Sequence, residues 1–362
     1  MSASLLLAHG SLRLPTFLPD ATRAVVRSVD AADLESCGVQ GLVMNVFHLM
    51  QRPGSSTVES LGGLHRLAGW SRPILTDSGG FQAFSVLRED PRAGSLTDDG
   101  IAWRGAGGRR FRLTPEKSIT LQLRYGADAV MCLDDCTHPD DPEERQALAV
   151  KRSVEWARRA RRAFDEHPAL RDRPLEQRPR LFAVVQGGTS RELRARCAAE
   201  LLEIGFDGLG FGGWPLDSEG RLLLDTLAQL RELVPAPIPL HALGVGHPES
   251  VRACAALGYG LFDSALPTRD ARRGRLYAFR CDPTSLPQDP QTPWFSRCFV
   301  GDARYVKADR PVSEFCDALC CRRYSVAYLH HLHEIRDGLY GRLATLHNLR
   351  FMAQLLEDLQ GA

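Results

Sequence analysis

Short apolar runs alternate with longer amphipathic stretches along almost the whole chain. The runs are "TFLP" at 16–19, "GLVMNVF" at 41–47, "PILTDSG" at 73–79, "AVMCLDD" at 129–135, "LFAVVQG" at 181–187, "GLGFGG" at 208–213, "PLHALGVG" at 239–246 and "LFDSALP" at 261–267. Each has the length and aliphatic bias of a strand buried on both faces. The stretches between them have helical spacing. "PEKSITLQLRYG" opens with Pro115 at a first helical position, and "SRELRARCAAELLEIG" is closed by Gly205. Eight strands joined by helical crossovers, with no tight hairpin between them, predict parallel pairing and a (β/α)8 TIM barrel of the α/β class. A doubly wound open sheet uses the same alternation and is the rival on periodicity alone.

Composition narrows the picture only a little. The chain has 362 residues, 44% hydrophobic and 25% charged, which suits a large barrel with an appendage. Its net charge is +1, so a nucleic-acid surface would have to be a local patch. The opening "MSASLLLAHGSLRLP" lacks the basic start and apolar length of a signal peptide, and no run is long enough to span a membrane. Most of the ten cysteines, such as Cys132, Cys197 and Cys254, sit singly in apolar runs, as reduced thiols of a cytoplasmic protein do. Cys316, Cys320 and Cys321 crowd together and need a separate account.

In a barrel of this type the chemistry sits where the strands end, at one mouth. Those ends carry Asp77 after "ILT", Asp134 and Asp135 after "VMCL", Gln186 after "AVV", Gly212 and Gly213 after "LGF", and Asp263 after "LF". A single strand-end aspartate is usually a helix or turn cap. Four strand ends bearing acids, an amide or a double glycine describe a pocket instead. Glycines beside the polar groups let a flat, hydrogen-bonding ligand approach the backbone.

The segments "LTDSGGFQAFSV", "LTPEKSI", "DDCT", "VVQGG", "GFGG", "GVGHPE", "FDSALPTRDARRGRLYAF", "DARYVKADRP" and "YSVAYLHHL…LHNLRF" resemble, in order, the motifs of the tRNA-guanine transglycosylase family. The resemblance implies a (β/α)8 barrel with a small zinc-binding subdomain near the C-terminal end: barrel over 1–280, zinc-binding and tRNA-contacting part over 281–350, helix end over 351–362. It implies exchange of the wobble guanine of tRNA for a free 7-deazaguanine base, through a covalent Asp–ribose intermediate, by a cytoplasmic homodimer without a membrane segment. Breaking an N-glycosidic bond with retention needs a carboxylate to trap the sugar and an acid/base at the departing nitrogen. By resemblance Asp263 is the nucleophile and Asp77 the general acid/base. Asp134, Gln186, Gly213 and Leu243 then hold the base, and Arg269 and Arg272 contact the tRNA. Flipping the base out of the anticodon stack brings it to the mouth.

Two places depart from the family pattern. The family's C-x-C-x2-C motif, with a histidine 26 residues on, becomes "CDALCC": Cys316, Cys321 and His347 are kept, Ala318 replaces the middle ligand, and Cys320 is added. Four ligands suit structural zinc, so Cys316, Cys320, Cys321 and His347 are the expected set. His330, His331 and His333 are expected to be surface or packing residues. After Gly212-Gly213 the chain runs "WPLDSEG", with Trp214 and Pro215 in place of small residues. Ser218 stands where relatives carry a glutamate near the aminomethyl group of the base, and Trp214 joins the pocket as a stacking or filling residue. Asp217 or Glu219 would substitute after a one-residue shift.

The basic stretch "KRSVEWARRARRAF" at 151–164 is expected to be a solvated helix face, with RNA contact the lesser reading. Two alternatives to the tRNA enzyme are a paralogue acting on another polymer such as DNA and a non-catalytic tRNA-binding subunit. The intact Asp77, Asp134, Gln186 and Asp263 speak against the latter.

Overall fold

The computed structural model describes residues 3–361 apart from Gln288, Pro290 and Gln291. Eight strands form one parallel sheet: β1 Thr16–Pro19, β2 Leu42–Asn45, β3 Ile74–Asp77, β4 Ala129–Met131, β5 Arg180–Val185, β6 Gly208–Phe211, β7 Leu240–Ala242 and β8 Leu261–Ser264. Their spatial order is β1-β8-β7-β6-β5-β4-β3-β2, so each strand neighbours its successor. The ring closes between β1 and β2 through one parallel bridge, Asp20 to Val43, with Ala21 N donating to Val43 O at 2.7 Å. An open doubly wound sheet has no such closure, so the barrel expectation holds.

Side chains alternate across each strand. Leu18, Val43, Leu75, Ala129, Met131, Phe182, Val184 and Leu261 fill the barrel interior. Phe17, Leu42, Met44, Ile74, Val130, Leu181, Phe211 and Phe262 point outward to the helices and form the larger core. That two-sided burial explains the unbroken aliphatic runs. Helix Pro115–Arg124 begins as its sequence requires, with Thr114 Oγ1 accepting from Lys117 N at 3.2 Å. Helix Arg191–Ile204 begins at Ser190 and stops at Gly205, whose φ of +87° no branched residue adopts cheaply.

Three antiparallel pieces lie outside the alternating pattern. A hairpin of Ser4–Leu7 and Gly10–Arg13 puts Leu7 and Leu12 under the barrel interior, plugging its N-terminal end. His9 Nδ1 pins it to the Asp128 carboxylate at 2.7 Å, and His65 Nε2, from helix Leu64–Ala68, meets the same carboxylate at 3.1 Å. A three-stranded sheet, Gly94–Thr97, Gly100–Arg104 and Arg110–Leu113, is inserted between β3 and β4. A third pair, Arg275–Phe279 with Phe295–Phe299, starts the C-terminal part.

That part has its own cluster, including Leu276, Cys298, Val300, Val312, Cys316, Cys320, Leu329 and Leu343. Helix Gly338–Gly361 serves both cores. Tyr340, Leu343 and Ala344 pack into the smaller cluster, while Leu349, Phe351, Met352 and Leu355 pack into the barrel's. No described helix is long and apolar enough to cross a membrane.

Candidate active site at the barrel mouth

The inward face of each strand carries a fixed count. Two residues beyond the interior leucines and valines, on the same face, stand Asp20 above Leu18, Asn45 above Val43, Asp77 above Leu75, Gln186 above Val184 and Asp263 above Leu261. A polar layer therefore caps the apolar ones at the C-terminal mouth. On β6 the inward positions are Gly208, Gly210 and Gly212. A methyl group there would meet Phe182, Leu243 and Gln186 at 2.1, 2.9 and 2.7 Å. Those missing side chains are what let Gln186 and Leu243 lean across the mouth.

Asp263 is oriented by two donors on one oxygen: His241 Nε2 lies 2.9 Å and Gly244 N 3.1 Å from Oδ1. Asp77 Oδ2 accepts from Asn45 Nδ2 at 2.7 Å, and the same amide group reaches Gln82 Oε1 at 2.8 Å. Burial, and then the Asp263 charge, push the Asp77 carboxyl up to about 6. Asp134 accepts from Gln186 Nε2 at 2.6 Å; burial and the neighbouring Asp77 push it up to about 7. Gln186 Oε1 is buried with no hydrogen-bond partner, an acceptor turned toward the same space. In "DSGG", Gly79 takes φ +87°, and a methyl group on Gly80 would stand 2.9 Å from Asp134 O. The double glycine thus lets two acid-bearing strand ends meet.

The remaining sequence candidates divide. Asp135, next to Asp134, turns away into a fork of Arg145 and Arg152, with Nη1 atoms 3.0 and 2.6 Å from Oδ2. Gly213 follows the mouth with φ +84°, and a methyl group there would stand 3.8 Å from Gln186 Oε1. Trp214 is 40% exposed and meets Phe81 and His138 edge-on, at 5.5 and 5.9 Å. Arg269 is exposed; Arg272 is half-buried, and its Nη1 has no partner. Buried Arg194 was not foreseen. It donates to Gly188 O, Val185 O and Gly212 O at 2.7, 3.0 and 3.0 Å, locking the β5 and β6 ends together. Asp20, Asn45 and His241 were also missed, although the alternation of "FLPD", "VMN" and "LHA" places each on the inward face.

The stretch at 151–164 lies in helix Glu143–Asp165 and is largely paired: Arg152 with Asp98 and Asp135, Arg158 with Glu200, Arg159 with Glu116, and Arg161 with Asp165. His330 Nδ1 faces Val300 O at 2.7 Å, and His333 packs edge-on against Tyr340.

Away from the mouth, the ligand atoms of Cys316, Cys321 and His347 lie within 4.8 Å of one another. His347 Nδ1 faces the two sulfurs at 3.4 and 3.3 Å, while Nε2 lies 2.5 Å from Tyr277 O. Donation to that carbonyl fixes the tautomer and leaves Nδ1 as a free lone pair, the arrangement a metal-binding histidine needs. Cys320, expected as the fourth ligand, is not gathered with these three. Its Sγ is 3.9 Å from that of Cys321, buried in the apolar cluster. Consecutive residues on helix Leu319–Arg323 point about 100° apart, so both cannot face one centre easily.

A family model described as Queuine tRNA-ribosyltransferase matches residues 2–362. Proteins of that name from Novosphingobium aromaticivorans and Chromobacterium violaceum are each 36% identical to this chain. The alignments cover 98% of the chain and 88% and 89% of those proteins. One from Thiobacillus denitrificans is 36% identical over 98% of the chain and 89% of its own length.

Proposed function

The chain belongs to the queuine tRNA-ribosyltransferase family, and we propose that it exchanges the wobble guanine of a tRNA anticodon for a free 7-deazaguanine base through an Asp263–ribose bond. The observation that carries this is the Asp263 carboxylate: Oδ1 is held by His241 and Gly244, no donor reaches Oδ2 among the described residues, and a second acid, Asp77, pushed up to about 6 by burial and by Asp263, shares the mouth.

In the first half-reaction Asp263 Oδ2 attacks ribose C1′ as the C1′–N bond to guanine breaks. The guanine leaves with that electron pair and takes a proton from Asp77 at a ring nitrogen. In the second, Asp77, now a carboxylate, removes a proton from the incoming base. The base nitrogen then attacks C1′ and Asp263 departs with its electron pair, so two inversions give net retention. A carboxyl near pH 6 suits both proton transfers. Asp134 accepts from the N–H donors on the guanine edge, and the second N–H of Gln186 Nε2 and the Gly213 N–H donate to its carbonyl oxygen, with Leu243 and Trp214 as walls. Arg269, which is exposed, and Arg272, which is half-buried, take phosphates.

The residues at Cys316, Cys321 and His347 fit a zinc ion, which would supply a cross-link between the "CDALCC" segment and the last helix rather than chemistry at the mouth. The functional unit is a cytoplasmic homodimer, as family likeness suggests.

Incubation of the protein with labelled guanine and either bulk tRNA or duplex DNA tests the reading. Label enters tRNA alone, and Asp263→Asn abolishes incorporation while RNA binding stays within a few-fold. Labelled DNA would favour the paralogue, and undiminished incorporation by the Asn variant would remove Asp263 as nucleophile.

A further inference from the structure

The mouth holds a carboxylate that the exchange reaction does not use. Asp20 stands on the inward face of β1, two residues above Leu18, and Leu18 is the register partner of Asp263 on β8. Asp20 is therefore on the strand beside the nucleophile and about two residues, or ~7 Å, farther out along the barrel wall. The Asp263 charge is felt there, and with burial it pushes the Asp20 carboxyl up.

Its placement is fixed on both sides of the side chain. The backbone forms the bridge to Val43 that closes the barrel, and Oδ1 accepts from Thr22 N at 2.7 Å and from Thr22 Oγ1. Among the described residues no protein donor reaches Oδ2. Arg27 and Arg272 lie within electrostatic reach of it. A turn alone would need one acceptor, which serine or asparagine supplies without a second buried negative charge next to Asp263. The charge repels a polyanion unless the polymer offers a donor at that point. A nucleotide whose C1′ sits at Asp263 and whose phosphate sits at Arg272 presents its 2′-hydroxyl between the two.

Resting on the reading above, we propose that Asp20 Oδ2 accepts a hydrogen bond from the 2′-hydroxyl of the target ribose and is the group by which this enzyme distinguishes RNA from DNA. The 2′-hydroxyl is the donor that only RNA carries on the carbon next to C1′. A site built to pair a hydroxyl rejects the analogue that lacks it, because its own polar group is left unpaired.

The test uses the full chain and two stem-loop RNAs, identical except for guanosine or 2′-deoxyguanosine at the target position, with kcat/KM measured for labelled-guanine exchange. Wild type should favour the ribose substrate by roughly 10-fold or more, the scale of one hydrogen bond to a charged group. Asp20→Ala should bring the two within ~2-fold by slowing the ribose substrate only, and Asp20→Asn should lose most of the preference while keeping the turn, because Thr22 holds its single oxygen and the Oδ2 position becomes an NH2 that cannot accept. Thr22→Val, which removes one of the two donors on Oδ1 and leaves the backbone N–H, should give an intermediate ratio. Melting temperature and stem-loop affinity serve as folding controls. Equal losses on both substrates, or an unmoved ratio, would overturn the assignment of Asp20 while leaving the exchange reading standing. Absence of exchange with either stem-loop would overturn both.

Discussion

Asp217 Oδ1 accepts from the backbone N–H groups of Glu219 and Arg221, each at 2.9 Å, and its Oδ2 pairs with Arg221 Nε at 2.9 Å. Glu219 pairs with Arg221 Nη1 at 2.9 Å, and the turn is bracketed by the bridge of Leu216 to Leu222. Neither carboxylate is therefore available where the family places a glutamate, and Ser218 between them is exposed and uncharged. An aminomethyl group on the incoming base is cationic at neutral pH, and burying it unpaired costs on the order of several kcal/mol. Competition for incorporation should accordingly show guanine, or a deazaguanine with an uncharged or larger solvent-reaching substituent, holding its own against the aminomethyl base. A preference for the aminomethyl base of ~100-fold, about 2.7 kcal/mol, would mean that the Asp217–Arg221 turn reopens on binding.

Elements differ in how plainly the sequence announces them. The eight barrel strands were legible because burial on both faces forbids polar interruptions until the mouth, where Asp77, Gln186 and Asp263 mark the ends. The inserted strands Gly94–Thr97, Gly100–Arg104 and Arg110–Leu113 were not. Each is short, carries glycine or arginine, and is stabilised by distant partners such as Phe47, which stacks on Trp103 at 4.6 Å. At the mouth, residues with a strong chemical signature stood out, whereas Asp20, Asn45 and His241 act through neighbours that only the closed ring supplies. The Cys316, Cys321 and His347 group shows the converse limit: resemblance to the family motif picked out its members, while the helix carrying Cys320 and Cys321 turns the two sulfurs to different sides. Purified protein should carry close to one zinc per chain by metal analysis. Cys321→Ser should lose most of it and Cys320→Ser should keep it; loss in the Cys320 variant would restore that sulfur as the fourth ligand.

For the molecule as a whole, the raised acids link stability to pH. Asp77 and Asp134 ionise near 6 and 7 in the fold, against an ordinary aspartate value of 3.8. The folded state therefore binds protons more tightly than the unfolded chain between about pH 4 and pH 7. Stability from these groups is full below pH 4 and falls as pH rises through that window, by on the order of a few kcal/mol. Asp134→Asn should raise the melting temperature at pH 8 by several degrees and leave it nearly unchanged at pH 4, while weakening base binding. Equal shifts at both pH values would remove the link. The mouth is thus held in a less stable state for the sake of its chemistry.

Helix Gly338–Gly361 adds a consequence of chain order. Asn348, next to His347, accepts from Tyr277 N and donates to Pro267 O and Arg275 O, gripping the segment that leaves β8. Near its end Gln360 donates to Arg13 O and Pro15 O at the entrance to β1. The nucleophile's own strand and its neighbour β1 are thus braced by an element that a ribosome makes after every barrel strand, several seconds after Asp263 at roughly 5–20 residues per second. A nascent chain interrupted before that helix holds every carboxylate of the mouth but lacks the brace across β1 and β8. Translation itself postpones the assembled mouth until Gln360 has followed Asp263 out of the ribosome.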